Sequence, residues 1–126
     1  MAKQLNHTIV RASDKRASAT FLAEMLGLPG PRSYGPFDVV DLDNHVELAY
    51  LESDGPPTPQ HYAFLVDESE FDEIFGRIRE RDLTYWADPF KQRPGETNTN
   101  DGGRGVYWED PDGHFLEIIT RPYGSG

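Results

Sequence analysis

Apolar and polar residues alternate over residues 5–11 (LNHTIVR), the period of a strand with one buried face. From Ser13-Asp14 the spacing becomes helical. Ala17, Phe21, Leu22 and Met25 share one side, and Gly27 with Pro29 ends the helix. FDVVDLD (37–43) and HVELAYLE (45–52) read as a hairpin turning at Asp43-Asn44. The Pro-rich stretch SDGPPTPQ (53–60) is a stiff link, after which the plan restarts. QHYAFLV (60–66) predicts a strand. Asp67 with Glu70, or Ser69 with Asp72, then caps a second helix carrying Phe71, Ile74, Phe75 and Ile78 to about Asp82. TYWAD (84–88) predicts a short strand, and GRGVYWED with HFLEIIT a final hairpin.

The order is βαβββ followed by βαβββ, and Asn6-His7 before the first helix matches Gln60-His61 before the second. An internal duplication accounts for both features. The expected fold class is α+β. Two tandem βαβββ modules, about 4–52 and 60–121, are joined by the link 53–59 within one domain spanning 1–126.

Strand alternation splits each segment into two faces. Val46, Leu48 and Tyr50 oppose Glu47, Ala49 and Leu51; Tyr62, Phe64 and Val66 oppose His61, Ala63 and Leu65. Leu116 and Ile118 oppose Phe115, Glu117 and Ile119, while His7 lies with Leu5 and Ile9. Four strands thus present His7, Glu47, His61 and Glu117 on one face, away from the bulky apolar side that two helices would cover. Glu117 is the anomaly, an acid inside an apolar strand. A buried carboxylate is expensive unless paired or metal-bound. Two imidazoles with one or two carboxylates suit one divalent metal, and zinc, nickel, manganese, cobalt and iron all accept that set. A register shift of one residue would turn Glu47 to the opposite face.

Asp-Pro-Asp-Gly at 110–113 suits a type I turn followed by a left-handed glycine. That connection pairs Asp110 with His114 and Tyr107 with Glu117, which brings the Tyr107 hydroxyl beside the metal. His45 and His114 follow turns and are expected to face solvent, and Trp86 and Trp108 to be core or dimer contacts. Segment 88–105, DPFKQRPGETNTNDGGRG, is a long polar loop that reads as a lid or as plain surface. Its Lys91, Arg93 and Arg104 are candidates to meet an anionic substrate.

Composition narrows the partners. A net charge of −10 over 126 residues argues against nucleic acid and anionic membrane, and permits a cationic small ligand. No apolar run approaches the roughly 18 residues of a membrane span, and MAKQLNHTIV carries no signal pattern. The absence of cysteine excludes disulfides and thiolate metal sites and fits a cytoplasmic protein.

The duplicated plan, N-H near the start, Q-H-Y-A-F mid-chain and E-D-P-D-G-H-F-L-E near the end resemble the vicinal oxygen chelate superfamily. It includes glyoxalase I, fosfomycin-modifying thiol transferases, extradiol dioxygenases and bleomycin-resistance proteins. The resemblance implies βαβββ modules forming a curved, open-barrel-like sheet around a metal cavity, commonly in a homodimer. It implies one divalent metal on His7, His61 and Glu117, with Glu47 as the fourth ligand of glyoxalase I. Two departures matter. Thr8 is adjacent to His7, where the fosfomycin enzymes have their Thr two residues on. Asn98, Thr99 and Asn100 stand where the dioxygenases carry a histidine. The expected function is a metal-dependent enzyme that chelates a small substrate through neighbouring oxygens for Lewis-acid catalysis. Glu47 or Glu117 serves as the proton-shuttling base and Tyr107 as a further catalytic group. Isomerisation or thiol addition is favoured over ring-cleaving oxygenation. The alternative is a metal-independent, bleomycin-resistance-like protein that sequesters a drug or natural product.

Overall fold

Both helices begin where their capping residues put them. In the computed structural model, which describes residues 3–126, the Asp14 carboxylate accepts the Ala17 N–H at 3.0 Å and opens α1 (Lys15–Leu26). Gly27 closes α1 in the left-handed conformation at φ 71°. Asp67 opens α2 (Glu68–Glu80) through a reciprocal capping box with Glu70. Ser69 with Asp72 is therefore not the cap. The buried side of α1 is Ser18, Ala19, Leu22, Ala23 and Met25. Ala17 is exposed and Phe21 only half-buried, a shift from the expected face. Small residues let α1 approach β1, β3 and β4 closely, and that outweighs burial of the phenyl ring.

The chain divides into two compact units after Thr58. The first holds β1 (His7–Ala12), β2 (Arg32–Tyr34), β3 (Phe37–Asp41) and β4 (Glu47–Glu52), in sheet order β1-β4-β3-β2. The second holds β5 (His61–Leu65), β6 (Tyr85–Trp86), β7 (Gly105–Glu109) and β8 (Phe115–Ile119), in the matching order β5-β8-β7-β6. Each sheet is open, with one parallel pair, β1 with β4 or β5 with β8, and antiparallel pairs beyond it. The strand that completes the first βαβββ is β2, which no hydrophobic pattern announced because all three of its residues are exposed. Val10, Leu22, Met25, Val40 and Tyr50 form the first core; Phe71, Ile74, Ile78, Trp108, Leu116 and Ile118 form the second. Full burial of each such side chain stabilises by about 1.5–3 kcal/mol.

The two hairpin turns are built alike. Leu42 N–H bonds Val46 O at 2.9 Å and His45 N–H bonds Leu42 O at 3.0 Å. Asp110 N–H and Gly113 N–H make the same bonds, to His114 O at 2.9 Å and Asp110 O at 3.0 Å. His45 (φ 68°) and Gly113 (φ 84°) occupy equivalent left-handed positions. The registers correspond as well. His7 opposite Glu47 and Ile9 opposite Ala49 match His61 opposite Phe115 and Ala63 opposite Glu117. In the duplicated scheme Ala49, rather than Glu47, holds the place of Glu117.

Candidate metal and catalytic site

Glu117 is 1% exposed, in the middle of β8 between β5 and β7. Its neighbour on β5 is Ala63, whose small side chain leaves space above the strand, and its partner on β7 is Tyr107, as the turn chemistry predicts. His61 lies one step diagonally away, and its Nε2 comes to 3.0 Å from Glu117 Oε1. Its other nitrogen, Nδ1, is 2.9 Å from the carbonyl oxygen of Phe115. A carbonyl only accepts, so Nδ1 carries a proton and donates it. Nε2 then meets the carboxylate either as the N–H of an imidazolium or as a lone pair with a cation between them. Two ligands each about 2.1 Å from an ion stand about 3.4 Å apart at the tetrahedral angle of zinc and about 3.0 Å apart at the right angle of octahedral sites. A backbone carbonyl orienting the far nitrogen is the usual support of a metal-binding imidazole. Both side chains are thus of the type and orientation that could ligate a divalent metal, at a separation that a direct hydrogen bond satisfies as well.

Two phenols complete this cluster. The Tyr123 hydroxyl donates to both Glu117 oxygens, at 2.8 Å and 2.6 Å, and accepts from the Tyr107 hydroxyl at 3.1 Å. Burial, the hydrogen bond to Tyr123 and the nearby Glu117 charge all push the Tyr107 phenol up from its ordinary value. Burial and the bond to Glu117 raise Tyr123 likewise, and burial next to Asp110 raises Tyr62. The folded protein holds these protons more tightly than the unfolded chain does. Their contribution to stability is thus complete below about pH 10, the ordinary tyrosine value, and is lost as pH rises above it. Alkaline titration of metal-free protein, followed by phenolate absorbance, is expected to release three of the six tyrosines late. The last of them should ionise only as circular dichroism reports unfolding.

An aromatic wall stands beside the acid. Phe115 stacks on Tyr107 with centroids 5.2 Å apart and meets Trp86 edge-on at 5.6 Å. The Lys91 ammonium lies 5.0 Å from the Trp86 ring and 5.6 Å from Phe115, and also pairs with Glu109 at 3.1 Å. Trp108 is fully buried, as a core residue should be. His114 is buried too, against expectation. Its Nδ1 accepts the Gln60 N–H at 2.9 Å, satisfying a backbone donor at the start of β5.

The 88–105 segment is ordered by its own polar groups. Burial alone would raise the Asp88 carboxyl, but N–H bonds from Gln92, Arg93 and Phe90 hold it below the ordinary range. The three cations expected to meet an anion each have an acid: Lys91 with Glu109, Arg93 with Glu96, and Arg104 with Glu68 and Asp72.

In the first unit His7 is exposed, and its Nδ1 lies 2.7 Å from Asn6 Oδ1. Glu47, directly opposite His7 in the sheet, is engaged by Arg32 Nη2 at 3.0 Å. The same guanidinium forks onto Asp41 at 2.8 and 3.1 Å. Of the four residues expected as ligands, the structure thus joins His61 to Glu117 and sets His7 opposite Glu47 in register. Among the described residues no group of three or more His, Asp or Glu side chains gathers as one metal site. The residue that sequence reasoning missed is Tyr123. Its signal was chemical rather than periodic, since an acid buried in a strand needs donors, and a tyrosine follows six residues later.

Comparison with known proteins sets this geometry in context. Residues 4–118 match the model of the Glyoxalase/Bleomycin resistance protein/Dioxygenase superfamily. The chain is 68% identical to a solved structure called oxidase ChaP-H1, covering 98% of this chain and 99% of that one, with a TM-score of 0.96. It is 34% identical to glutathione transferase FosA of Serratia marcescens over 94% of this chain and 81% of that protein. The fosfomycin resistance protein FosX of Mesorhizobium loti shares the fold, with a TM-score of 0.71 at 18% identity over 97% of this chain and 95% of that one. The chain belongs to the Glyoxalase/Bleomycin resistance protein/Dioxygenase superfamily and is an enzyme of it.

Proposed function

We propose that this enzyme binds one divalent metal with His61 and Glu117 as ligands, takes a small substrate through neighbouring oxygens, and oxidises it with dioxygen. The observation that carries the reading is the His61–Glu117 pair, with Nδ1 tied to a carbonyl and Nε2 turned to a buried carboxylate. His7 holds the matching position in the sheet of the first module. A divalent cation there would supply Lewis-acid polarisation of the substrate oxygens. Glu117 contributes the charge, and the buried Tyr107 hydroxyl keeps its proton and orients oxygen atoms by hydrogen bonding. Phe115 and Trp86 exclude water from that side.

Oxidation is preferred because a protein called an oxidase shares 68% of its residues with this chain. Thiol addition, which with isomerisation the sequence favours over oxygenation, is the second reading, supported by the glutathione transferase at 34% identity. The three cations of the 88–105 segment each pair with an acid, so an anionic substrate would have to compete with those carboxylates. Protein purified without chelators should hold near-stoichiometric metal and consume dioxygen with catechols, and lose both in His61→Ala. Loss of glutathione thiol with fosfomycin, without dioxygen uptake, would shift the assignment to thiol transfer. Metal-free protein that binds a cationic aromatic drug would return it to sequestration.

Glu47 is proposed to stay off the metal because Arg32 holds its carboxylate. Glu47→Gln is therefore expected to change metal affinity by no more than about threefold, the scale of an exposed ion pair. A loss comparable to that of His61→Ala would restore Glu47 as a ligand. A cytoplasmic homodimer is proposed from the family resemblance, and sedimentation velocity tests the dimer. Among the described residues no helix is long and apolar enough to cross a membrane.

A further inference from the structure

We infer that Lys91 selects the substrate by charge: its ammonium takes the anionic group of a catechol-type ligand whose hydroxyls lie at the His61–Glu117 end. The inference deepens the reading proposed above, and it rests on that reading for the position of the hydroxyls.

Strand register orders one face of the second sheet. Trp86 opposes Tyr107, Tyr107 opposes Glu117, and Glu109 opposes Phe115, so these side chains leave the same side. Glu117 and Tyr107 form one rung of that face, Phe115 and Glu109 the next. The Lys91 ammonium stands at the second rung, over the Trp86 and Phe115 rings and against Glu109. Phe115 and Tyr107 lie stacked between it and the acid, a surface that an added ring can extend. The step along β8 from Phe115 to Glu117 is about 7 Å, a gap that one substituted benzene ring spans.

The other two cations of the 88–105 segment are occupied elsewhere. Arg104 turns to α2, over the Phe71 ring and onto Glu68 and Asp72, and Arg93 pairs with Glu96 three residues on. Lys91 is held on the rings by its backbone. Asp88 gathers the N–H groups of Phe90, Gln92 and Arg93, which closes a turn around Lys91 and keeps it in the left-handed region at φ 58°. Glycine would make that turn with less strain, so the side chain rather than the turn accounts for the lysine.

Glu109 leaves room for a second anion. An ammonium has three N–H donors, and Glu109 takes one of them at 3.1 Å. Lys91 and Glu109 are 47% and 37% open to solvent, so their pair is weak and readily shared.

The test measures dissociation constants of the full chain, purified without chelators, for three catechols: protocatechuate with its carboxylate, uncharged catechol, and dopamine with its ammonium. The wild type should prefer protocatechuate to catechol roughly tenfold, the scale of a hydrogen bond to a charged group, and bind dopamine most weakly. Lys91→Met keeps a long stem on the rings but frees Glu109, so it should abolish the preference and put dopamine ahead of protocatechuate. Lys91→Arg should keep the wild-type order. Glu109→Gln removes the competing acid and should strengthen the preference about threefold. A wild type that shows no preference, or a Lys91→Met protein that loses affinity for all three ligands alike, would overturn the inference. Dioxygen uptake judges the oxidation reading separately. A preference that follows Lys91 without any uptake would remove that reading and leave this one standing. Uptake whose KM for protocatechuate is indifferent to Lys91 would do the reverse.

Discussion

Glu117→Ala protein is expected to come off a chelator-free purification with less than about a tenth of the wild-type metal, its affinity lowered at least a hundredfold. Loss of a supporting residue around a metal already costs about ten- to a hundredfold, and Glu117 is proposed as a ligand itself. The fold should survive the change. Removing the acid also removes the need to bury a charge, a penalty of several kcal/mol that His61 and Tyr123 offset in the wild type. Tyr123 is largely exposed and can turn its hydroxyl to water. The melting temperature of the metal-free variant should therefore lie close to that of the metal-free wild type, while elemental analysis shows the metal gone. His61→Ala should lose the metal equally but leave Glu117 buried with one partner fewer, so it should be the less stable of the two. Metal retained at wild-type stoichiometry in either variant would remove the proposed centre.

Asn98→Ala is expected to destabilise the protein by about 2–3 kcal/mol and lower its melting temperature by on the order of 10 °C. Asn98 is buried, and its amide joins the two sides of the 88–105 segment. Nδ2 donates to Ala87 O at 2.8 Å, while Oδ1 accepts the Asn100 N–H at 3.1 Å. Its backbone pairs with Gly105 through bonds of 2.9 and 3.0 Å. Truncation leaves Ala87 O and Asn100 N–H short of partners and opens a gap. Gly105 is the complement of this arrangement, because a Cβ there would stand 2.8 Å from Asn98 Oδ1. Gly105→Ala should cost about 1–3 kcal/mol through crowding. The double variant should cost clearly less than the sum, since truncating Asn98 vacates the space the new methyl needs. Additive losses in thermal melts would show that the two residues do not share that space.

Much of this arrangement could be read from residue types. Asp-Pro-Asp-Gly dictated a turn whose register carried Tyr107 to Glu117, and Asp67 with Glu70 announced the second helix. Glu117 stands out in the sequence because a carboxylate in an apolar strand calls for a partner. Other features left no trace in hydrophobic periodicity. β2 buries none of its residues and forms only because β3 offers an open edge. The face of α1 is chosen by how closely small residues approach the sheet, which a hydrophobicity pattern ranks below a phenylalanine. Arg32 captures Glu47, and Tyr123 caps Glu117, across distances in sequence that no local spacing encodes. A histidine after a turn resembles a surface residue, and His114 is not one. Its nitrogen instead answers a backbone N–H that lies 54 positions away in the chain.

The matching registers of the two repeats carry an evolutionary corollary. Where the later repeat has Glu117 opposite Ala63, the earlier one has Ala49 opposite Ile9, with His7 still in the place of His61. One half of the ancestral unit has kept or acquired an acid, and its twin has a methyl group there. Ala49→Glu would recreate the imidazole–carboxylate motif in the silent copy, offering a laboratory route to a chain with two such motifs and a way to ask whether the ancestor was symmetric.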